Sequence, residues 1–122
     1  MKRILFIDDD VLALQIMSKV THLLGFQAIL TTSPRSALEM VADQKPQLVM
    51  VDMLMDEMDG TEFVSRLRQS PDIANIPVLI YSAGAGWVDE ELARRAGANG
   101  YLQKPVGLQE LSQAIQAFAV PG

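Results

Sequence analysis

Along the chain, short unbroken apolar runs alternate with stretches where apolar residues recur every three or four positions. The runs read as strands and the spaced stretches as helices. A strand buried on both faces wants apolar side chains throughout, whereas an amphipathic helix wants one stripe. The predicted strands are "RILFI" (3–7), "QAILT" (27–31), "QLVMV" (47–51), "VLIYS" (78–82) and "GYLQ" (100–103). Between the first two, Leu12, Ile16, Val20 and Leu23 mark a helix from Val11 to Leu24 by their spacing, and Gly25 stops it. Asp9 or Asp10 suits its N-cap. Ser33 and Pro34 open a second helix with Ala37, Leu38 and Val41 inward. A third, from about Thr61 to Gln69 by the same periodicity, buries Phe63, Val64 and Leu67, and the proline-bearing "SPDIANIP" follows as a loop. A fourth runs from Trp87 to Ala96 and ends at Gly97. The last carries the stripe Leu108, Leu111, Ile115 and Phe118. Five βα units in a row predict an α/β fold: a doubly wound, five-stranded parallel sheet with five helices on its two faces.

Composition narrows what such a domain does. The 122 residues suit a single domain, and 49% apolar content supports a real core. No apolar run is long enough to span a membrane, and "MKRILFIDDD" is too short in its apolar part for a signal peptide. Cysteine is absent, which removes disulfides, thiolate metal sites and a thiol nucleophile and agrees with a cytoplasmic setting. A net charge of −5 argues against a grip on nucleic acid by this domain. The domain is expected to cover residues 1–120, beginning with Met1, and residues 121–122 are a C-terminal tail or the start of a linker.

In an open parallel sheet the ligand sits at the carboxyl ends of the strands. Strand 1 ends on Asp8 and Asp9, strand 3 on Asp52, strand 4 on Ser82, and strand 5 just before Lys104-Pro105. Crowded carboxylates repel unless something positive joins them. Mg²⁺ fits, since it takes one or two carboxylates and shares phosphate oxygens. A carboxylate can also form an acyl phosphate as a nucleophile. A lysine can hold a phosphoryl oxygen as a point charge, and a serine hydroxyl can donate to another. Together these are the parts phosphoryl transfer needs.

"ILFIDDD", "LVMVD" with Gly60 eight residues on, "VLIYSA" and "GANGYLQKP" resemble a response regulator receiver domain over essentially the whole chain. The resemblance implies a CheY-like, flavodoxin-like (βα)5 domain of two-component, phosphorelay signal transduction. It implies that Asp52 accepts a phosphoryl group from a phosphohistidine on a histidine kinase or histidine phosphotransfer protein. Asp8, Asp9, Asp52 and the backbone carbonyl of Leu54 would hold Mg²⁺. Lys104 would contact the phosphoryl group, Ser82 would be the switch hydroxyl, and Tyr101 the aromatic switch. The output would be a shift of the face made by the fourth helix, fifth strand and fifth helix. Such a domain is no turnover enzyme: it takes a phosphoryl group and slowly loses it. The downstream effector is unnamed, and homodimerisation through the output face is left open.

The chain departs from the family in the loop "MLMDEMDG", where Asp56 replaces the usual proline. Asp56 and Glu57 add charge near a site that must accept a dianion, and Asp56→Pro is expected to change phosphorylation rate or metal affinity. By the resemblance, Leu54 and Gly84 stand at the two positions that shape access of the attacking water; neither has a side chain that can hydrogen-bond it, which predicts slow self-dephosphorylation. Trp87 reads either as a partner contact or as an anchor at the helix start. Asp10 is assigned to capping, His22 to the surface without a catalytic role, and Met53, Met55 and Met58 to core filling under the loop. Glu90, Glu91, Arg94 and Arg95 read as a solvated helix face. Two other readings were weighed. A Mg²⁺-dependent phosphatase would need an acid at position 54, where Leu stands. A receiver-like interaction module that no longer signals by phosphorylation is at odds with the complete Asp, Ser and Lys set.

Overall fold

The computed structural model describes residues 2–84 and 86–119. Met1 and the expected tail at 121–122 lie outside the described residues. The strands β1 (Arg3–Ile7), β2 (Gln27–Thr31), β3 (Leu48–Asp52), β4 (Val78–Ser82) and β5 (Gly100–Gln103) alternate with five helices. These are α1 (Val11–Leu23), α2 (Pro34–Gln44), α3 (Gly60–Arg68), α4 (Gly86–Ala96) and α5 (Leu108–Phe118). All pairs are parallel, in the order β2-β1-β3-β4-β5.

Alternate residues of each strand feed two cores, as a pleated backbone demands. Leu5, Ile7, Val49, Val51, Val78 and Ile80 pack with Ala37 and Val41 of α2, Phe63, Val64 and Leu67 of α3 and Ala93 of α4. Ile4, Phe6, Leu48, Met50, Leu79 and Tyr81 pack with Leu14 and Met17 of α1 and Leu111, Ala114 and Ile115 of α5. The helices therefore divide three and two across the sheet, and Met53, Met55 and Met58 fill the core beneath the loop after β3.

Two helical stripes differ from expectation. In α1 the stripe that marks the helix is largely its outer side: Leu12, Ile16 and Leu23 are exposed, and Val20 is only half-buried. The buried line is Leu14, Met17 and Thr21. The helix has apolar residues on both sides, and a threonine in the inner line hides it from a search for apolar spacing. In α5 the inner line is Leu111, Ala114 and Ile115, with Phe118 half-buried and Leu108 exposed on the first turn. Strand β3 also runs one residue later than predicted, so Asp52 belongs to the ladder opposite Tyr81. Gln47 instead accepts the Arg3 N–H with its side-chain oxygen at 2.6 Å.

Arg68, at the end of α3, holds the long loop before β4. Its guanidinium donates to the carbonyls of Gly97 (3.0 Å), Ala74 (2.8 Å) and Ile76 (2.7 Å) and to Asn99 Oδ1 (2.8 Å). Asn99 Oδ1 also accepts the Val78 N–H at 2.8 Å. Gly97 has φ 106°, which an L side chain rarely adopts, and a Cβ there would press on the Arg68 stem at 3.1 Å.

Candidate functional site

Asp8 follows β1 in register: its N–H donates to the Thr31 carbonyl at 3.2 Å. Because β1 lies beside β3, this brings Asp8 next to Asp52, the last residue of β3. Asp8 and Asp52 are both buried, whereas Asp9 is exposed. One carboxylate oxygen from each of the three lies within 4.8 Å of the others. Asp10 stays out of the cluster as the N-cap of α1, accepting from Leu12 N at 3.0 Å and Ala13 N at 3.4 Å.

Lys104 closes the cluster from β5's end. Its Nζ donates to Asp52 Oδ2 at 3.0 Å and to Asp8 Oδ2 at 3.4 Å, and it lies 5.1 Å from the centroid of the Tyr81 ring. The Tyr81 hydroxyl donates to Asp8 Oδ2 at 3.1 Å, and the Asp10 N–H donates to Asp8 Oδ1 at 2.9 Å. Asp8 is thus locked by donors on both oxygens. Burial raises the Asp52 carboxyl above its ordinary value. The Lys104 hydrogen bond opposes that rise, and the charge of Asp8 adds to it. For Lys104, burial works against the ammonium, but hydrogen bonding and attraction from Asp52, then Asp8, outweigh it and the net direction is upward. Burial, then the charges of Asp8 and Asp52, push the Tyr81 phenol up, so it remains a donor.

Three carboxylates against one ammonium leave the cluster under-neutralised, and its donors are hard oxygens. That suits a divalent cation of the Mg²⁺ or Ca²⁺ kind. Leu54 stands two residues past Asp52 with its side chain exposed. Gly60 lets α3 begin against the end of β3. Its N–H donates to the Met53 carbonyl at 2.8 Å, and a Cβ there would lie 2.5 Å from the Asp52 carbonyl oxygen.

Ser82 is buried, and its hydroxyl is engaged twice. It donates to Asp89 Oδ2 at 2.7 Å and accepts the Gly84 N–H at 3.0 Å. Tyr101 is half-buried, packed against the core shared by α2, α3 and α4, and its hydroxyl is buried without a partner among the described residues. Trp87 opens α4 with 79% of its surface exposed, which overturns the reading of it as a packed anchor. His22 is exposed, as expected. Asp56 is exposed. Glu57 turns toward the N-terminus of α2, accepting from Ser33 Oγ at 2.9 Å and Arg35 N at 3.5 Å, where a negative charge is favoured.

Sequence reasoning missed two contributors. Tyr81 falls inside the predicted strand "VLIYS" with no role assigned to it; an aromatic hydroxyl one residue before Ser82 is the available signal. Asp89 stands next to the charged face Glu90, Glu91, Arg94 and Arg95 and drew no reading of its own. Its signal was Gly84, whose missing side chain leaves the space that the Asp89 carboxylate fills: a Cβ at Gly84 would overlap Asp89 Oδ2.

Comparison with known proteins bears on what this arrangement is. The response regulator receiver domain family matches residues 4–116. The chain is 26% identical over 117 residues to the polar-differentiation response regulator DivK of Brucella ovis, covering 96% of this chain and 95% of that protein. It is similar to the crystal structure of a response regulator receiver domain protein from Clostridium thermocellum, with TM-score 0.86, 27% identity and coverage of 96% and 93%. The Vibrio cholerae chemotaxis protein CheY4 shares the fold at TM-score 0.90 and 24% identity, covering 97% of this chain and 98% of that one.

Proposed function

The chain belongs to the response regulator receiver domain family, and from that premise we propose that it is a phosphorylation-controlled switch with Asp52 as the phosphoacceptor. The observation that carries this is the Lys104 ammonium set 3.0 Å from Asp52 Oδ2 at the edge of a buried acidic cluster. A carboxylate oxygen of Asp52 forms the new O–P bond as the N–P bond of a phosphohistidine breaks. The imidazole leaves with the electron pair. The donor is a histidine kinase or a histidine phosphotransfer protein. Lys104 then exchanges its bond with Asp52 for one to a phosphoryl oxygen, so the ammonium is never left unpaired.

Asp8, Asp9 and Asp52, with the Leu54 carbonyl, are the residues that would hold Mg²⁺. Bound there, the ion would offset charge on the incoming phosphoryl group. The Tyr81 hydroxyl and the Asp10 N–H fix the Asp8 carboxylate that would serve as one of the ligands. Ser82 donates a hydrogen bond to the phosphoryl group as the switch hydroxyl. Tyr101 is the aromatic that responds, and α4, β5 and α5 carry the change to an effector. An apolar cleft of about 410 Å³ between α1 and the Lys104–Val106 segment, lined by Ala13, Ile16, Pro105 and Val106 among others, adjoins Lys104. It offers the donor a surface beside the acceptor. We assign the switch to the cytoplasm; among the described residues no helix is long and apolar enough to cross a membrane. It catalyses its own phosphorylation and slow dephosphorylation and turns over no small phosphate esters, since no acid stands at position 54.

Mass spectrometry after incubation with Mg²⁺ and a small phosphodonor tests this. One phosphoryl group is expected on the wild type and none on Asp52→Asn. No addition to the wild type would favour an interaction module that has lost phosphorylation. Steady phosphate release from many esters would favour a phosphatase.

A further inference from the structure

The Ser82 hydroxyl has one proton, and in this structure that proton is committed to Asp89 Oδ2 at 2.7 Å. The oxygen is meanwhile held by the Gly84 N–H at 3.0 Å. Asp89 belongs to the first turn of α4, so the bond ties the phosphorylation edge of the sheet directly to that helix. It also needs room that only glycine leaves, because a Cβ at Gly84 would overlap the Asp89 carboxylate and sit 3.2 Å from Ser82 Oγ.

We propose that Asp89 is a positioning residue for Ser82: it holds the hydroxyl proton in the unphosphorylated state, and a phosphoryl group on Asp52 must take that proton from it. The inference rests on the reading of Asp52 as phosphoacceptor. A hydroxyl cannot donate to two acceptors with a single proton. Phosphorylation therefore costs the Ser82–Asp89 bond, and breaking it frees the first turn of α4. The coupling to the output face is then an exchange of one hydrogen bond. Because Asp89 favours only the unphosphorylated state, its removal shifts the balance toward the phosphorylated one. Gly84→Ala should do the same by a different route. The added methyl meets the far end of the Asp89 side chain and, at 3.2 Å, Ser82 Oγ, with no backbone atom among its nearest neighbours, so the carboxylate is the group that must move.

The test uses beryllofluoride with Mg²⁺ as the phosphoryl mimic, with affinity read from the fluorescence of Trp87, the sole tryptophan, two residues before Asp89. Asp89→Ala and Gly84→Ala are each expected to bind it about tenfold more tightly than wild type, the lower end of what one hydrogen bond to a charged acceptor contributes. Their emission without the mimic should move toward that of the mimic-bound wild type. Asp89→Asn, whose amide oxygen still accepts, should stay near wild type. In a Ser82→Ala background Asp89→Ala should change nothing. An unchanged affinity in both single variants overturns the proposal. So does an equal gain with and without Ser82, since mere loss of a negative charge would act in either background. A wild type that takes neither beryllofluoride nor a phosphoryl group overturns the phosphoacceptor reading, and the role of Asp89 with it. Thermal melts identify any variant that has lost its fold; the other single variant then decides alone.

Discussion

Lys104 is the residue on which the acidic cluster depends most. It touches both buried carboxylates, and removing it strands two anions in a site that water reaches poorly. Its side chain keeps 26% of its surface in solvent, so the loss falls below that of a sealed pair. Lys104→Met is expected to destabilise the cation-free protein by about 2 kcal/mol in urea titration. Asp52 acts in the opposite sense. Its folded pKa lies above the ordinary 3.8, chiefly through burial. Between 3.8 and the raised value the folded chain keeps a proton that the unfolded chain has released. Stability falls as pH rises through that window, and the full penalty holds above it. Asp52→Asn removes the penalty, so without divalent cations its stability advantage over wild type should open as pH climbs above the ordinary carboxylate value of 3.8. A constant difference across that range would contradict this. Much of the candidate site was legible in the residues that end the strands, because a carboxylate is conspicuous after a run of aliphatics. Tyr81 and Asp89 were not. Their hydrogen-bonding atoms face the site while their sequence neighbours look like plain core and plain helix surface.

At the scale of elements, spacing reveals that a helix exists but not which side of it is buried. α1 has apolar residues on two sides, and the inner one runs through Thr21. The strands were easier to read: four of the five predicted ranges coincide with the observed ones, since continuous apolar runs have no side to choose. α2 is capped by Lys45 with φ 46°, where glycine would be usual, so the stop signal in the sequence there is Pro46 and not a glycine. The loop from Ser70 to Pro77 was visible as a loop, but not its attachment. The Arg68 guanidinium, donating to three carbonyls and Asn99, and the buried side chain of Ile73 provide it. Burial lowers the pKa of Arg68, a cost its four acceptors offset. Arg68→Ala should therefore lower stability by about 3 kcal/mol, more than a typical surface substitution. Hydrogen exchange should rise most at residues 70–78 and 97–99. Uniform exchange across the sheet would argue against this local role.

For the whole molecule, the cluster at the sheet's edge links ligand binding to folding. Folding brings Asp52 against the adjacent pair Asp8 and Asp9, which in the unfolded chain it meets only by chance, so a divalent cation bound by all three would stabilise the folded state. Mg²⁺ at 100 times its dissociation constant should add about 2.7 kcal/mol, seen as a rise in Tm. Asp9→Ala should remove most of that rise with little change in the cation-free melt, since Asp9 is exposed. The doubly wound order also explains why residues far apart in sequence meet here: β1 and β3 are neighbours, and β4 and β5 extend the same edge. Within that assembly Gly84 and Asp89 occupy one volume between them. Seen over generations, they form an exclusion pair. A lineage that acquires a side chain at 84 ejects the carboxylate at 89 and relieves it of selection. A lineage that keeps Asp89 can drift nowhere at 84. A side chain at 84 and an acid at 89 should not occur together, whereas Asp89 can be lost while glycine remains at 84.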